Sequence, residues 1–202
     1  MIAAALLGAI FFAATGYVGA ILGLWYAERI EAFPDGPVPG KAPVGALVAA
    51  CAVIGAVVTT HATQGQVLLI AIVCVALVAI WITDTTRGIV PDVFTLGPLG
   101  LILVLAVWQH DWFAFLSAAV PFVPFALAAM LSRGRGMGWG DVKMVALGGA
   151  LLGAQTAVLA FALACLVAVV LSYARGHRSG PIAFAPYLAA AIGLAIPLGI
   201  LR

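Results

Sequence analysis

Apolar residues run along this chain in long blocks, separated by short polar or glycine- and proline-rich segments. A helix that crosses the hydrocarbon core of a bilayer needs roughly 20 apolar residues, with about 17 as the lower limit. Six blocks reach or approach this length, at 2–27, 43–60, 66–84, 93–108, 112–132 and 182–201. They predict membrane-spanning helices and therefore an all-α fold.

The stretch from residue 141 to residue 174 is too long for one crossing. As one straight helix it would extend about 51 Å, against a hydrocarbon core of roughly 30 Å. A group of glycines that ends at Gly153 offers a break, which divides the stretch into a short span at 141–152 and another at 155–174. The chain is thus expected to be a bundle of about eight transmembrane helices, with a short sixth.

Composition supports an integral membrane protein. Of the 202 residues, 65% are hydrophobic and 8% are charged, whereas soluble domains carry roughly 25% charged residues. The net charge of +2 gives no reason to expect nucleic-acid binding. The first block has a longer apolar run than the ~7–15 residues of a signal peptide, so it is expected to remain as a span. We predict one membrane-embedded domain over residues 1–202.

The basic residues predict an orientation. Cytoplasmic loops of membrane proteins carry an excess of Lys and Arg. With the N-terminus outside, the cytoplasmic loops and adjoining span ends hold eight basic residues, namely Arg29, Lys41, Arg87, Arg133, Arg135, Lys143, Arg175 and Arg178. Asp84 and Asp141 then lie at cytoplasmic ends of spans.

These two aspartates are the main candidates for chemistry. Carboxylates beside membrane spans are rare because a buried charge is costly there, so they are functional candidates by default. Two carboxylates that come close tend to hold one shared proton. The charged member can take a proton from water while the other donates to a peptide carbonyl. Asp84 and Asp141 thus predict an aspartyl protease without metal or cofactor, in which the helix dipole favours Asp141 as the charged member.

The residues around Asp141 are candidates for supporting roles. Gly136, Gly138 and Gly140 permit positive φ and the close approach of another chain, such as an extended substrate. Trp139 lies inside this glycine segment and is a candidate for packing against substrate. Lys143 is either an anchor at the membrane surface or an electrostatic partner of the aspartate pair.

Simpler interpretations of the acidic residues remain open. Asp84 could be a residue at a helix end that pairs with Arg87. Asp141 could be only a helix N-cap, because aspartate is favoured there. Asp92, which follows Pro91, is better explained as the cap of the fourth span than as a catalytic group, and both residues are candidates for binding substrate or supporting the aspartate pair.

The cysteines and histidines do not indicate a metal site or a disulfide. Cys51, Cys74 and Cys165 lie inside apolar segments, are widely spaced and form no CxxC pair. They are therefore expected to be small buried hydrophobic residues.

Three sequence elements resemble the type IV prepilin peptidase family, whose members are GxGD membrane aspartyl proteases. Asp84 is followed by Val90-Pro-Asp92 at the family's spacing, and residues 136–143 match its GxGxGDxK element. A late aromatic-x-Pro-aromatic-Leu-Ala run is matched at residues 184–189. The elements occur in the family's order and cover most of residues 75–200, whereas the first 75 residues match only loosely.

The resemblance implies a bacterial inner-membrane endopeptidase with Asp84 and Asp141 as its catalytic pair. It implies substrates that are precursors of type IV pilins, Flp-type pilins or secretion pseudopilins, cut at the cytoplasmic face to remove a basic leader. The lipid bilayer is the other expected partner. Longer members carry two CxxC pairs after the first span and also methylate the product with S-adenosylmethionine. Residues 34–41 hold no cysteine here, which predicts a short form with peptidase activity only.

Two other functions fit these residues less well. Presenilin-like proteases share the GxGD element, but they place a tyrosine beside the first aspartate and carry a late Pro-Ala-Leu. Here Thr83 precedes Asp84, and the late proline stands in Ile196-Pro-Leu198. A proton-coupled transporter would place its carboxylates near the bilayer midplane in repeated halves, and no repeat is visible.

Overall fold

The computed structural model describes residues 1–30, 42–132, 137–174 and 183–200. In chain order, its helices are α1 (Ile2–Arg29), α2 (Val44–His61), α3 (Gln64–Arg87), α4 (Asp92–Trp108), α5 (Phe113–Leu131), α6 (Trp139–Leu152), α7 (Ala154–Ala174) and α8 (Ala185–Ile200). No strand occurs in the described ranges, so the predicted all-α fold is confirmed. Gly136 and the basic residues Lys41, Arg133, Arg135, Arg175 and Arg178 lie outside these ranges.

The helix lengths fit a membrane bundle. Five helices, α1, α2, α3, α5 and α7, are long and apolar enough to cross a bilayer, while α4 and α8 are apolar but shorter. The predicted spans agree with the helices within a few residues. The largest differences, three residues each, are that α3 continues to Arg87 and that α8 begins at Ala185.

The predicted break between α6 and α7 occurs at Gly153. Its φ of 79° lies in a region that L side chains rarely adopt, which explains why glycine stands there. Gly149 stays helical and serves close packing instead. A Cβ atom on it would lie 2.4 Å from the carbonyl oxygen of Ser117 on α5, so the missing side chain is what lets the two helices touch.

The helices pack in two groups that are joined by α8 and by the packing of α3 on α4. In the first, α1 packs on α2 and α3; in the second, α6 packs on α4, α5 and α7. Helix α8 packs against α2 and α3 on one side and against α6 and α7 on the other. The largest buried side chains at the centre come from several helices and include Phe12, Ile80, Met144, Phe161 and Ile192.

Helices α3 and α6, which carry the two aspartates, are not direct neighbours. Their backbones stay more than 8 Å apart, measured between Cα atoms. Helix α4 packs on both of them, and so does α8. The relative position of the two aspartates is therefore set through these two intermediate helices.

The cysteines are free thiols, and two of them are buried as predicted. Cys165 is only partly buried. Although Cys51 and Cys74 are far apart in the sequence, their thiols lie close enough to interact electrostatically across α2 and α3.

Candidate active site

Asp84 lies in the last turn of α3. The helix ends at Gly88, whose left-handed φ of 69° lets its N–H donate to the carbonyl oxygen of Asp84 at 2.9 Å. The neighbouring hydroxyls bond back to carbonyls of their own helix; Thr83, for example, donates to Ala79 and Ile80. This local pattern satisfies the hydroxyls without using the carboxyl group of Asp84.

The side chain of Asp84 is buried, with 6% of its surface exposed. Its Oδ2 atom has no hydrogen-bond partner among the described residues. No ion pair with Arg87 occurs within the described ranges, so the interpretation of Asp84 as an exposed residue paired with Arg87 is wrong. A buried acid that lacks a full set of partners is unusual and needs a functional reason.

The N-terminus of α8 faces Asp84. The backbone N–H of Ala185, the first residue of that helix, is directed at the Asp84 carboxyl group. The first N–H groups of a helix have no partner inside the helix, and they carry partial positive charge. The next residue, Pro186, has no N–H, so Ala185 supplies the donor at this point.

Asp141 lies in the first turn of α6 and is also buried, with 9% exposed. The N-cap of this helix is Gly138, so the interpretation of Asp141 as the N-cap is wrong. The carboxyl group instead reaches back to the N–H of Gly138 from the third helical position. No side-chain cap hydrogen bond is present at the start of this helix, and the helix dipole favours negative charge at the same place.

The carboxyl groups of Asp84 and Asp141 lie within electrostatic range of each other and are not hydrogen-bonded to each other. They are the only buried charged side chains among the described residues. The site is therefore a pair of acids on two helices that do not pack on each other.

The glycines beside Asp141 have a different function from the one predicted. Gly138 has a φ of −76°, and Gly140 is not among the residues with positive φ, so the prediction of positive φ is wrong for both. A close approach is found at Gly140, but to this chain's own Val90 rather than to a substrate: a Cβ atom on Gly140 would lie 2.6 Å from the Cβ of Val90. Glycine is needed here because the connection between α3 and α4 packs directly on α6. The approach of a substrate stays a prediction. Gly136 lies outside the described residues.

Lys143 and Asp92 form an ion pair that joins α6 to α4. The Lys143 Nζ lies 2.6 Å from Oδ1 of Asp92. The N-cap of α4 is the buried Pro91, and no side-chain cap bond is present. The interpretation of Asp92 as a helix cap is therefore wrong. Lys143 thus forms its ion pair with Asp92 and not with Asp141.

Trp139 is half exposed, at 50%, in the first turn of α6. Its packing against substrate stays a prediction. Val90 and Ala185 lie in the sequence elements that resemble the family, but the sequence did not indicate the roles of the Val90 side chain and the Ala185 backbone. A single valine between two helices does not indicate a packing contact in the sequence. The aromatic-proline run around Ala185 identified the segment but did not indicate that its backbone lies near Asp84.

Comparisons with known proteins agree with the sequence motifs. The model of the type IV leader peptidase family matches residues 70–173, slightly more than half of the chain, which include both aspartates and Lys143. Two proteins, one from Aeromonas salmonicida strain A449 and one from Aeromonas salmonicida, are 31% identical to it over 169 residues. Both are named prepilin leader peptidase/N-methyltransferase. The match covers 73% of this chain and 55% of each relative, so the chain spans about half their length.

No solved structure matches the chain significantly. The family match contains the segments in which the fold places the two buried acids, the ion pair and the contact between Val90 and Gly140. This chain belongs to the type IV leader peptidase family.

Proposed function

We propose that this protein is an aspartic endopeptidase that removes the basic leader from type IV prepilin-like precursors. Asp84 and Asp141 are its catalytic pair, within one membrane-embedded domain over residues 1–202. The observation that carries the proposal is the burial of these two acids, alone among the charged residues described, within electrostatic range of each other. Membership of the family supplies the substrate class.

The surroundings of the two acids suggest different roles. Asp141 sits at the positive end of α6 with the N–H of Gly138 directed at it, so it holds negative charge and takes the proton from water. Asp84 sits at the negative end of α3, which favours its protonated form, so it donates to the peptide carbonyl oxygen. As Asp84 gives up its proton, the N–H of Ala185 stabilises the charge that develops.

The reaction follows from these assignments. The water oxygen bonds to the carbonyl carbon, while one water proton passes to Asp141 and the proton of Asp84 passes to the carbonyl oxygen. In the second step, the carbon–nitrogen bond breaks as Asp141 gives its proton to the amide nitrogen. Asp84 takes back its proton from the hydroxyl group, which restores the starting state without a covalent intermediate.

The separation of the acids is compatible with this mechanism. A pair whose members are not hydrogen-bonded to each other can hold a water molecule and a peptide carbonyl between them. Catalytic hydrogen bonds are often long in a free enzyme and tighten once substrate is bound. Both acids also lie within one turn of a helix end, which argues against a proton relay at the bilayer midplane.

Two further features of the proposal rest on the sequence. The excess of basic residues on one side supports a location of the aspartates at the cytoplasmic face, and the resemblance to prepilin peptidases supports a bacterial inner membrane. Residues 31–41, between α1 and α2, contain no cysteine, so the methyltransferase activity named for the relatives is not proposed here.

A cleavage assay with defined substrates tests the proposed function. Purified protein in detergent is incubated with a precursor that carries a basic leader, a glycine and an apolar segment, and the products are identified by mass spectrometry. We expect one cut after the glycine, at a rate that chelators and inhibitors of serine and cysteine proteases leave unchanged. No cut in any such precursor, or loss of cutting with a chelator, would contradict the proposal. N-methylated product after addition of S-adenosylmethionine would overturn the claim of peptidase activity only.

A further inference from the structure

The arrangement of the site raises a mechanical question about how Asp141 is held opposite Asp84. Helices α3 and α6 do not pack directly on each other, so their own packing does not fix the distance between the two acids. A misplacement of about 1 Å in a catalytic group is enough to slow a reaction on the order of 10²-fold. Some other interaction has to maintain this geometry.

Two interactions join the segment that leads from α3 into the first residue of α4 to the first turns of α6. At the first, Val90 lies against Gly140, which has no side chain to keep it away. At the second, Asp92 binds Lys143. We call these two interactions the α4–α6 clasp.

The position of the clasp in the chain couples both acids. On one side, the connection is attached to the end of α3 by the hydrogen bond from Gly88 to the Asp84 carbonyl. On the other side, Gly140 immediately precedes Asp141, and Lys143 follows it by two residues. Pro91 limits the backbone freedom of the connection because its ring fixes φ.

The charge of Lys143 is directed away from the catalytic pair. Residues two apart on a helix do not face each other, and the Lys143 ammonium group is bound to Asp92. The side chains of Lys143 and Asp92 are 30% and 59% exposed. Exposed ion pairs contribute little to global stability, so loss of this pair is expected to leave the fold intact.

We propose that Asp92 and Lys143 are positioning residues of this enzyme, and that their ion pair holds Asp141 at its working distance from Asp84. This inference rests on the proposed function. Lys143 acts through Asp92 rather than on the charge of Asp141. Asp92 and Lys143 are 51 residues apart in the sequence, and the ion pair brings their two helices together beside the catalytic acids.

A charge swap separates this role from a direct electrostatic effect on Asp141. The variants are Asp92→Asn, Lys143→Met, Lys143→Asp and the double variant that combines Asp92→Lys with Lys143→Asp. If the pair positions Asp141, each single variant lowers kcat about 10- to 100-fold with little change in KM. The double variant then recovers most of the lost rate, although its charge next to Asp141 is reversed. Asp111→Asn is the matched control, because this exposed aspartate lies beyond the opposite end of α4.

The pH profile gives a readout that general destabilisation would not change. Weaker electrostatic coupling between the acids narrows the pH range over which the pair holds a single proton. The single variants should therefore work over a narrower pH range than wild type, and the charge swap should restore the width. Single variants with wild-type kcat would overturn the proposal. So would a swapped variant that is as slow as Lys143→Asp alone.

A measurement that does not depend on activity distinguishes failure of this inference from failure of the proposed function. Asp92→Cys and Lys143→Cys are combined in a background with the three native cysteines replaced, and a short bifunctional thiol reagent is added. We expect cross-linking at this pair and none when Asp111→Cys replaces Asp92→Cys. Absence of cross-linking would refute the clasp even if the wild type cuts leaders. Cross-linking in a protein whose wild type cuts no leader would instead refute the proposed function.

Discussion

Substitution of Gly140 by alanine is the most informative single change in this structure. It adds one methyl group at the point where the connection between α3 and α4 packs on α6. The new Cβ would lie 2.6 Å from the Cβ of Val90 and 3.2 Å from each of its Cγ atoms. Cβ of Val90 is attached directly to the backbone, so rotation of a side chain cannot relieve the overlap.

The size of the effect follows from this distance. Carbon atoms pack best at about 3.5–4.0 Å, so the two segments must separate by roughly 1 Å. Overpacking of this kind costs about 1–3 kcal/mol of stability, which leaves a multi-helix protein folded. The same displacement moves Asp141, the next residue, away from Asp84. A shift of about 1 Å at a catalytic group corresponds to a rate loss on the order of 10²-fold.

The assay compares initial rates of leader cleavage with thermal unfolding in the same detergent. Gly97→Ala on α4 is the matched control, because no heavy atom lies within 4 Å of its added methyl group. We expect this control to cut at the wild-type rate. A second change at Val90 tests the cause. Val90→Gly removes the clashing atoms and should restore activity to Gly140→Ala, whereas Val90→Ala keeps the Cβ and should not.

Two results would refute this reasoning. One is a Gly140→Ala variant that cuts leaders at the wild-type rate. The other is a double variant with Val90→Gly that unfolds at the wild-type temperature and is still as slow as the single variant. In that case, the methyl group would be acting on substrate rather than on the position of Asp141.

Three other changes separate stability from activity, each followed by thermal unfolding and leader cleavage. Thr63→Ala removes the capping box with Gln66 at the start of α3 and should cost about 1 kcal/mol without slowing cleavage, because the cap lies at the far end from Asp84. Gly149→Ala places a methyl group 2.4 Å from the carbonyl oxygen of Ser117 and should lower stability by about 1–3 kcal/mol. Asp84→Leu should abolish cleavage and raise the unfolding temperature, because it removes a buried oxygen that lacks a partner. Unfolding at the wild-type temperature in any of the three would contradict the corresponding argument.

The helices were predictable from sequence because bilayer thickness sets their length. Apolar blocks of about the required size predicted six of the helices within a few residues. The division of the stretch 141–174 followed from its excess length and from the glycines inside it. Gly153 proved to be the residue that breaks the helix, and its left-handed φ explains why.

The catalytic candidates were also accessible from sequence, since carboxylates in apolar surroundings are rare. The interactions that hold them were not. The proline before Asp92 predicts a helix cap at Asp92, yet Pro91 is the N-cap and Asp92 binds Lys143. A single sequence does not indicate which distant residue will bind Asp92; here the partner lies 51 positions away.

Gly140 shows how a residue type can be predicted correctly for an incomplete reason. Glycine suggested positive φ and the close approach of a substrate chain, whereas Gly140 lacks positive φ and the segment that packs on it belongs to this chain. The approaching segment is the connection at Val90. Local sequence indicates that space is needed at such a position, whereas the neighbour that fills it depends on tertiary packing.

The central claim is that Asp84 and Asp141 act as a catalytic pair, and leader cleavage by asparagine variants tests it most directly. Asp84→Asn, Asp141→Asn and the control Asp111→Asn are purified beside wild type, and folding is checked by thermal unfolding. The account predicts that wild type and the control cut the precursor at equal rates and that both active-site variants fall to background. A folded Asp84→Asn or Asp141→Asn variant that cuts at close to the wild-type rate would contradict it.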